Sequence, residues 1–105
     1  AMEKRWQLQM QCNGDAAIDQ CLDVYEKALR ITGTTEDLRP VLIHCQTIRE
    51  DQMERIQRLG ILPSFFHDHV YYWGDWYCNV VFWPRLLNGG CGLLCIRIVL
   101  LGRQM

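Results

Sequence analysis

The sequence predicts an α/β fold of three parallel strands joined by two helices, β-α-β-α-β, followed by an apolar C-terminal segment of a different character. Three observations predict it. The hydrophobic period switches between two residues and about 3.6 along residues 6–66. Turn and cap residues (Asn13-Gly14-Asp15, Gly33, Pro40, Gly60) fall where the period changes. All twelve acidic residues lie at or before Asp75, so residues 1–75 carry eight basic and twelve acidic side chains, while residues 76–105 carry three arginines and no acid. The chain reads as two unlike pieces, 1–77 and 78–105.

Each element follows from its own pattern. Trp6, Leu8, Met10 and Cys12 alternate with Gln7, Gln9 and Gln11, which is the period of a strand over residues 6–12. Asn13-Gly14-Asp15 breaks it. Apolar side chains then recur at Ile18, Cys21, Leu22, Tyr25, Ala28 and Leu29, the stripe of an amphipathic helix, with Asp15 at its start and Gly33 beyond its end. Pro40 opens Val41-Leu42-Ile43-His44-Cys45, a short apolar run of the kind buried on both faces of a parallel sheet. Thr47 and Glu50 have capping-box spacing, Ile48, Met53, Ile56 and Leu59 supply a second helical stripe, and Gly60 ends it. Ile61-Leu62-Pro63-Ser64-Phe65-Phe66 is the third strand. His67-Asp68-His69 reads as a polar turn or an H-x-H ligand pair in a loop, with Val70-Tyr71-Tyr72-Trp73 packing inward behind it. Alternation of this kind implies right-handed helical crossovers between parallel strands.

Length and composition exclude several classes. At 105 residues the chain is one domain at most. A net charge of −1 with no Lys/Arg-rich run argues against a nucleic-acid partner. The apolar run of residues 92–102 is interrupted by Arg97 and is shorter than the ~20 residues a bilayer requires, so no membrane association is expected. The start, Ala1-Met2-Glu3-Lys4-Arg5-Trp6, has no apolar signal region, which points to a cytoplasmic chain with reduced thiols. Cys12, Cys21 and Cys45 then act as small buried hydrophobes, and Cys91 and Cys95 lack a second pair or a nearby His to complete a zinc site.

Parallel α/β sheets gather their ligand-binding side chains just past the C-terminal ends of the strands. That rim collects Gln11, Asn13 and Asp15 after the first strand, His44 and Gln46 after the second, and His67, Asp68 and His69 after the third. All three histidines of the chain thus share one rim. Imidazoles and carboxylates arriving from separate strands suit a catalytic metal, because rigid strands fix the geometry and loops leave a position open for water. Each also has a structural reading: His44 and His67 as polar groups satisfied inside the fold, Asp15 as turn and helix start. The G-x-S-x-G, Walker and G-x-G-x-x-G motifs are missing, so nothing supports a hydrolase elbow or a nucleotide site.

These residues also carry a resemblance. Gln11-Cys12-Asn13-Gly14-Asp15-Ala16-Ala17-Ile18-Asp19, Arg39-Pro40-Val41-Leu42-Ile43-His44-Cys45-Gln46, Leu59-Gly60-Ile61-Leu62-Pro63-Ser64, His69 and Trp73-Gly74-Asp75-Trp76 resemble consecutive blocks of the metal-dependent amidohydrolase superfamily. The subgroup most similar is amidohydrolase family 3, related to the N-substituted formamide deformylases. The resemblance covers about residues 6–77. It implies a portion of a TIM barrel around its fifth and sixth strands, an incomplete barrel where the whole takes ~250 residues. It implies hydrolysis of C–N, amide-type bonds in small-molecule substrates by water activated on a divalent metal, zinc in first expectation. His44 matches the sixth-strand metal ligand, and Gln11 stands at the fifth-strand ligand position, where a carboxamide is a poor substitute for imidazole. His69 matches a histidine beside the substrate, and Asp75 and His67 are further substrate-side candidates. The H-x-H of the first strand, the bridging acid and the eighth-strand Asp have no counterpart, so the isolated chain is expected to be inactive. The alternative is a non-catalytic α/β module that self-associates as a homo-oligomer, because part of a barrel leaves strand edges and apolar faces uncovered. Residues 78–105 depart from the blocks and are either a shifted or foreign reading frame or a diverged segment, with Val80-Val81-Phe82-Trp83 and residues 93–101 as strands and Asn88-Gly89-Gly90 as a turn. A small ligand-binding domain built on Tyr71, Tyr72, Trp73, Trp76 and Tyr77 is a third reading.

Overall fold

A computed structural model describes residues 1–66 and 68–76. The expected strands and turn beyond Tyr77, with Cys78, Cys91 and Cys95, lie outside the described residues. After a short 3-10 turn at Met2–Lys4 come β1 (Gln9–Cys12), α1 (Asp15–Thr32), β2 (Val41–His44), α2 (Glu50–Arg58), β3 (Leu62–Phe65) and α3 (Asp68–Trp76). The strands form an open parallel sheet in the order β1-β2-β3, which is the β-α-β-α-β alternation read from the sequence.

Register separates the sheet into two unlike faces. Met10 pairs with Leu42 and Leu42 with Pro63; Gln9 pairs with Val41 and Val41 with Leu62; Gln11 pairs with Ile43 and Ile43 with Ser64. Because side chains alternate along a strand, Met10, Leu42 and Pro63 share one face and Gln9, Gln11, Val41, Ile43, Leu62 and Ser64 the other. The first face meets the helices. Leu42, Ile18 and Leu22 are fully buried there, with Cys12, Tyr25, Ile56 and Ile61 nearly so. All six stripe residues of α1 and all four of the α2 stripe belong to this core or pack against it. On the second face Gln9, Gln11, Leu62 and Ser64 are exposed, so β2 is fully buried on one side only, not on both.

The first strand is shorter than its alternation suggested. Trp6 and Leu8 precede it, and Trp6 is exposed, since that indole has no neighbouring strand residue to pack on. The capping box also moves. It is the Arg49 N–H that donates to Gln52 Oε1 at 3.0 Å as α2 begins, while Thr47 Oγ1 accepts the Asp15 N–H at 2.8 Å and so holds the start of α1. Gly33 and Gly60 close α1 and α2 with φ of 62° and 66°, the left-handed conformation that glycine takes without a Cβ clash. The segment after His67 is a helix, not a loop, and Tyr71, Tyr72, Trp73 and Trp76 face solvent, not the interior.

Candidate functional site

The rim is built where β1 and β2 end. Cys45 N–H donates to Cys12 O at 3.0 Å and Thr47 N–H to Asn13 O at 3.1 Å, so the two strand-end loops are tied together beyond the last ladder bonds. Between these ties the chain turns through two consecutive left-handed residues, His44 at φ 77° and Cys45 at φ 47°. A non-glycine residue in that region carries about 1–2 kcal/mol of steric strain. Cys45 is fully buried and its Sγ donates to Leu42 O at 3.5 Å.

His44 is the centre of the arrangement. Its ring meets Phe66 edge-on, centroids 5.5 Å apart at 87°, and stacks on His69 at 5.4 Å and 11°. Phe66 and His69 meet edge-on in turn at 4.7 Å. His44 Nδ1 is a buried polar atom with no hydrogen-bond partner among the described residues, a condition that costs about 1–3 kcal/mol. His69, in the first turn of α3, has Nδ1 3.2 Å from Oε1 of Gln46. With that oxygen accepting, Nδ1 is the donor of the pair. Gln46 is 4% exposed, so its carboxamide is held inside the fold.

Of the residues singled out in the sequence, the structure brings His44 and His69 together. Gln11 is exposed and lies at the Ile43 register position, one residue out of step with the Cys12–His44 pair. His67 and the side chain of Asp75 lie outside the described residues. Asp15 acts structurally, through its N–H to Thr47 and its carbonyl, which accepts from Gln52 Nε2 at 2.8 Å. Two participants come from the tertiary structure. Gln46 is on the rim by position, but its pairing with His69 depends on α3 folding back, and Phe66 reads only as the last residue of a strand. The position of Gln46 just past a strand-ending histidine is the one sequence signal that pointed there.

Among the described residues, no group of three or more His, Cys, Asp or Glu side chains is placed to hold a metal ion. The two rim imidazoles do not supply one between them. An imidazole binds a metal along its nitrogen lone pair, in the ring plane, and two stacked rings 11° from parallel have no shared in-plane point between them. The arrangement therefore serves as an aromatic and imidazole wall that can stack on a planar group and hydrogen-bond it through ring nitrogens.

No described helix is long and apolar enough to cross a membrane. Compared with known proteins, residues 1–90 match the sequence model of the amidohydrolase family, and the match runs past Tyr77, where the block-by-block resemblance ends. No curated protein and no solved structure matches the chain.

Proposed function

The chain belongs to the amidohydrolase family, and we propose that its three-stranded sheet is the portion of a TIM barrel around the fifth and sixth strands, with the His44–His69 wall forming part of the site for an amide-type small molecule. The family match over residues 1–90 carries the reaction class, hydrolysis of a C–N bond. The observation that carries the site is the partnerless, buried Nδ1 of His44 on a strained strand end, beside the stacked His69. A planar amide can lie against these rings and accept or donate at the imidazole nitrogens. The zinc expected for the family does not fit the described side chains, so no step is assigned to it, and the isolated chain is read as binding without turnover. The deformylase-type subgroup supplies the probe, an N-formylated amine.

In the test, an N-formyl amine is titrated into the purified chain while the histidine ring signals are followed by NMR, and hydrolysis is assayed in parallel with and without zinc. Shifts at His44 and His69 that vanish in His44→Ala, with no hydrolysis above buffer, are the expected result. Unmoved imidazole signals would refute the binding wall, and zinc-dependent turnover would refute the non-catalytic reading.

The uncovered sheet face favours a second reading, a non-catalytic module that self-associates. Leu62 is 51% exposed on that face, beside the exposed Gln9, Gln11 and Ser64. A second copy laid against Val41, Ile43 and Leu62 would remove this apolar surface from water. Sedimentation at micromolar concentration distinguishes a dimer, as this reading requires, from a monomer, which rejects it.

A further inference from the structure

On the buried side of the sheet, three sulfur-bearing side chains come together between β1 and α1. We propose that Met10, Cys12 and Cys21 form a binding site for a soft monovalent d10 cation, Cu(I). Met10 and Cys12 are two residues apart on one strand, so both point to the helix-facing side, and both pack in the core. Cys21 comes to them from the facing stripe of α1, with its Sγ 3.1 Å from Met10 Sδ. Neither Cys12 nor Cys21 is tied up in a disulfide, and Cys12 lies close enough to Cys21 to act on its thiol. Burial first, and Cys12 second, push the Cys21 thiol up to about 12. The Cys21 thiol therefore stays neutral and brings no charge into the core.

The donor set decides the ion. Two thiols and a thioether suit Cu(I), which accepts two or three soft sulfur donors, whereas zinc takes four ligands drawn from thiolate, imidazole and carboxylate and not from thioether. The cluster includes no imidazole or carboxylate. On binding, a Cu–S bond forms at Cys21 as its S–H proton passes to solvent; Cys12 and Met10 donate lone pairs, and no electron changes hands. Thiolate and monovalent cation cancel, which keeps a net charge out of the core. A cavity of about 250 Å³ opens beside Met10 and is bounded by Met2, Leu8, Val24, Tyr25 and Ala28, so that a second thioether, Met2, lines the same cavity as the Met10 donor.

The chain also contains Cys45, Cys78, Cys91 and Cys95, and the experiment separates them. Anaerobic, reduced full-length chain is titrated with Cu(I) against a coloured Cu(I) chelator, beside a variant carrying Cys78→Ser, Cys91→Ser and Cys95→Ser. Retention of one tightly held Cu(I) in that variant, lost on adding Cys21→Ser and weakened at least tenfold by Met10→Leu, is the expected result. Because a core variant can fail to fold, the unaltered chain is also alkylated with and without Cu(I) and read by mass spectrometry. Protection confined to Cys12 and Cys21 supports the site. Equal labelling of both with and without Cu(I), or protection only at Cys78, Cys91 and Cys95, overturns it.

Discussion

The α1–α2 layer and the strand-end rim are built on opposite terms. Between the helices nearly every polar atom has a partner. Arg49 pairs with Asp19 at 2.9 Å, Arg55 with Asp23 at 2.7 Å, and Arg58 with Glu26 at 3.0 Å. Beneath them Gln52, fully buried, donates to Asp15 O and Asp19 Oδ1 and accepts from Arg49 N–H. At the rim, less than a helix length away along the chain, a histidine nitrogen is buried without a partner and two adjacent residues are held left-handed. The contrast teaches where stability is made and where it is given up. Burial and satisfied hydrogen bonds hold the helices to the sheet, while strain and an open valence collect where a ligand would meet the strand ends.

If this division is right, substitutions should hurt in the helix layer and be tolerated at the rim. The largest effect is expected at Leu42, fully buried at the centre of the sheet. Leu42→Ala should cost about 2–5 kcal/mol by urea titration, since a central cavity cannot collapse around a strand. A smaller loss would mean that the core is loosely packed. Gln52→Ala comes next, at about 1–3 kcal/mol, because it removes the acceptor of the Arg49 N–H together with the buried bonds to Asp15 O and Asp19 Oδ1.

Acid should weaken the helix layer by a smaller, graded amount. The Glu26 carboxyl is held below the usual carboxylate range chiefly by the hydrogen bond from Arg58, with Arg55 adding to it, and the Asp51 carboxyl chiefly by Arg49. A group with a depressed folded value leaves the unfolded chain binding more protons. Its stabilisation is therefore complete above the ordinary carboxylate range and is lost as pH falls through the folded value. Thermal melts against pH should show this slope, and Arg58→Ala should flatten it; equal slopes in both proteins would remove the ladder from the account. High salt should lower the contribution of its exposed members as well.

The smallest effect is expected at His44. His44→Gly removes the left-handed strain and the orphaned nitrogen while losing the contacts to Phe66 and His69. The opposing terms should leave stability within about 1 kcal/mol of the parent. A loss as large as that of Leu42→Ala would make His44 part of the core rather than of the rim.

Legibility follows the same division. Ile18, Cys21, Leu22, Tyr25, Ala28 and Leu29 announced α1 because the helical period is a local property of the chain, and each of them does pack inward. Gly33 and Gly60 marked the helix ends because a left-handed residue is a local backbone demand. Thr47 and Glu50 satisfy the local capping rule while Arg49 does not, yet α2 starts after Arg49, because Thr47 Oγ1 is taken by the Asp15 N–H of α1 and Gln52 Oε1 accepts the Arg49 N–H instead. The H-x-H segment read as a loop because the exposed aromatics of α3 break the usual rule that large apolar side chains face inward.

By itself the sequence determined the order of the three strands and the first two helices, the helix-facing stripes and the family, because period, caps and motif blocks are carried by neighbouring residues. The tertiary structure decided that His44 stacks on His69 and leaves Nδ1 unpartnered, that Gln46 holds His69, and that Gln11 falls one register step away. It also decided that three sulfur-bearing side chains come together beneath β1. These are contacts between residues far apart in the chain, and no local period encodes the distance or angle at which such side chains meet.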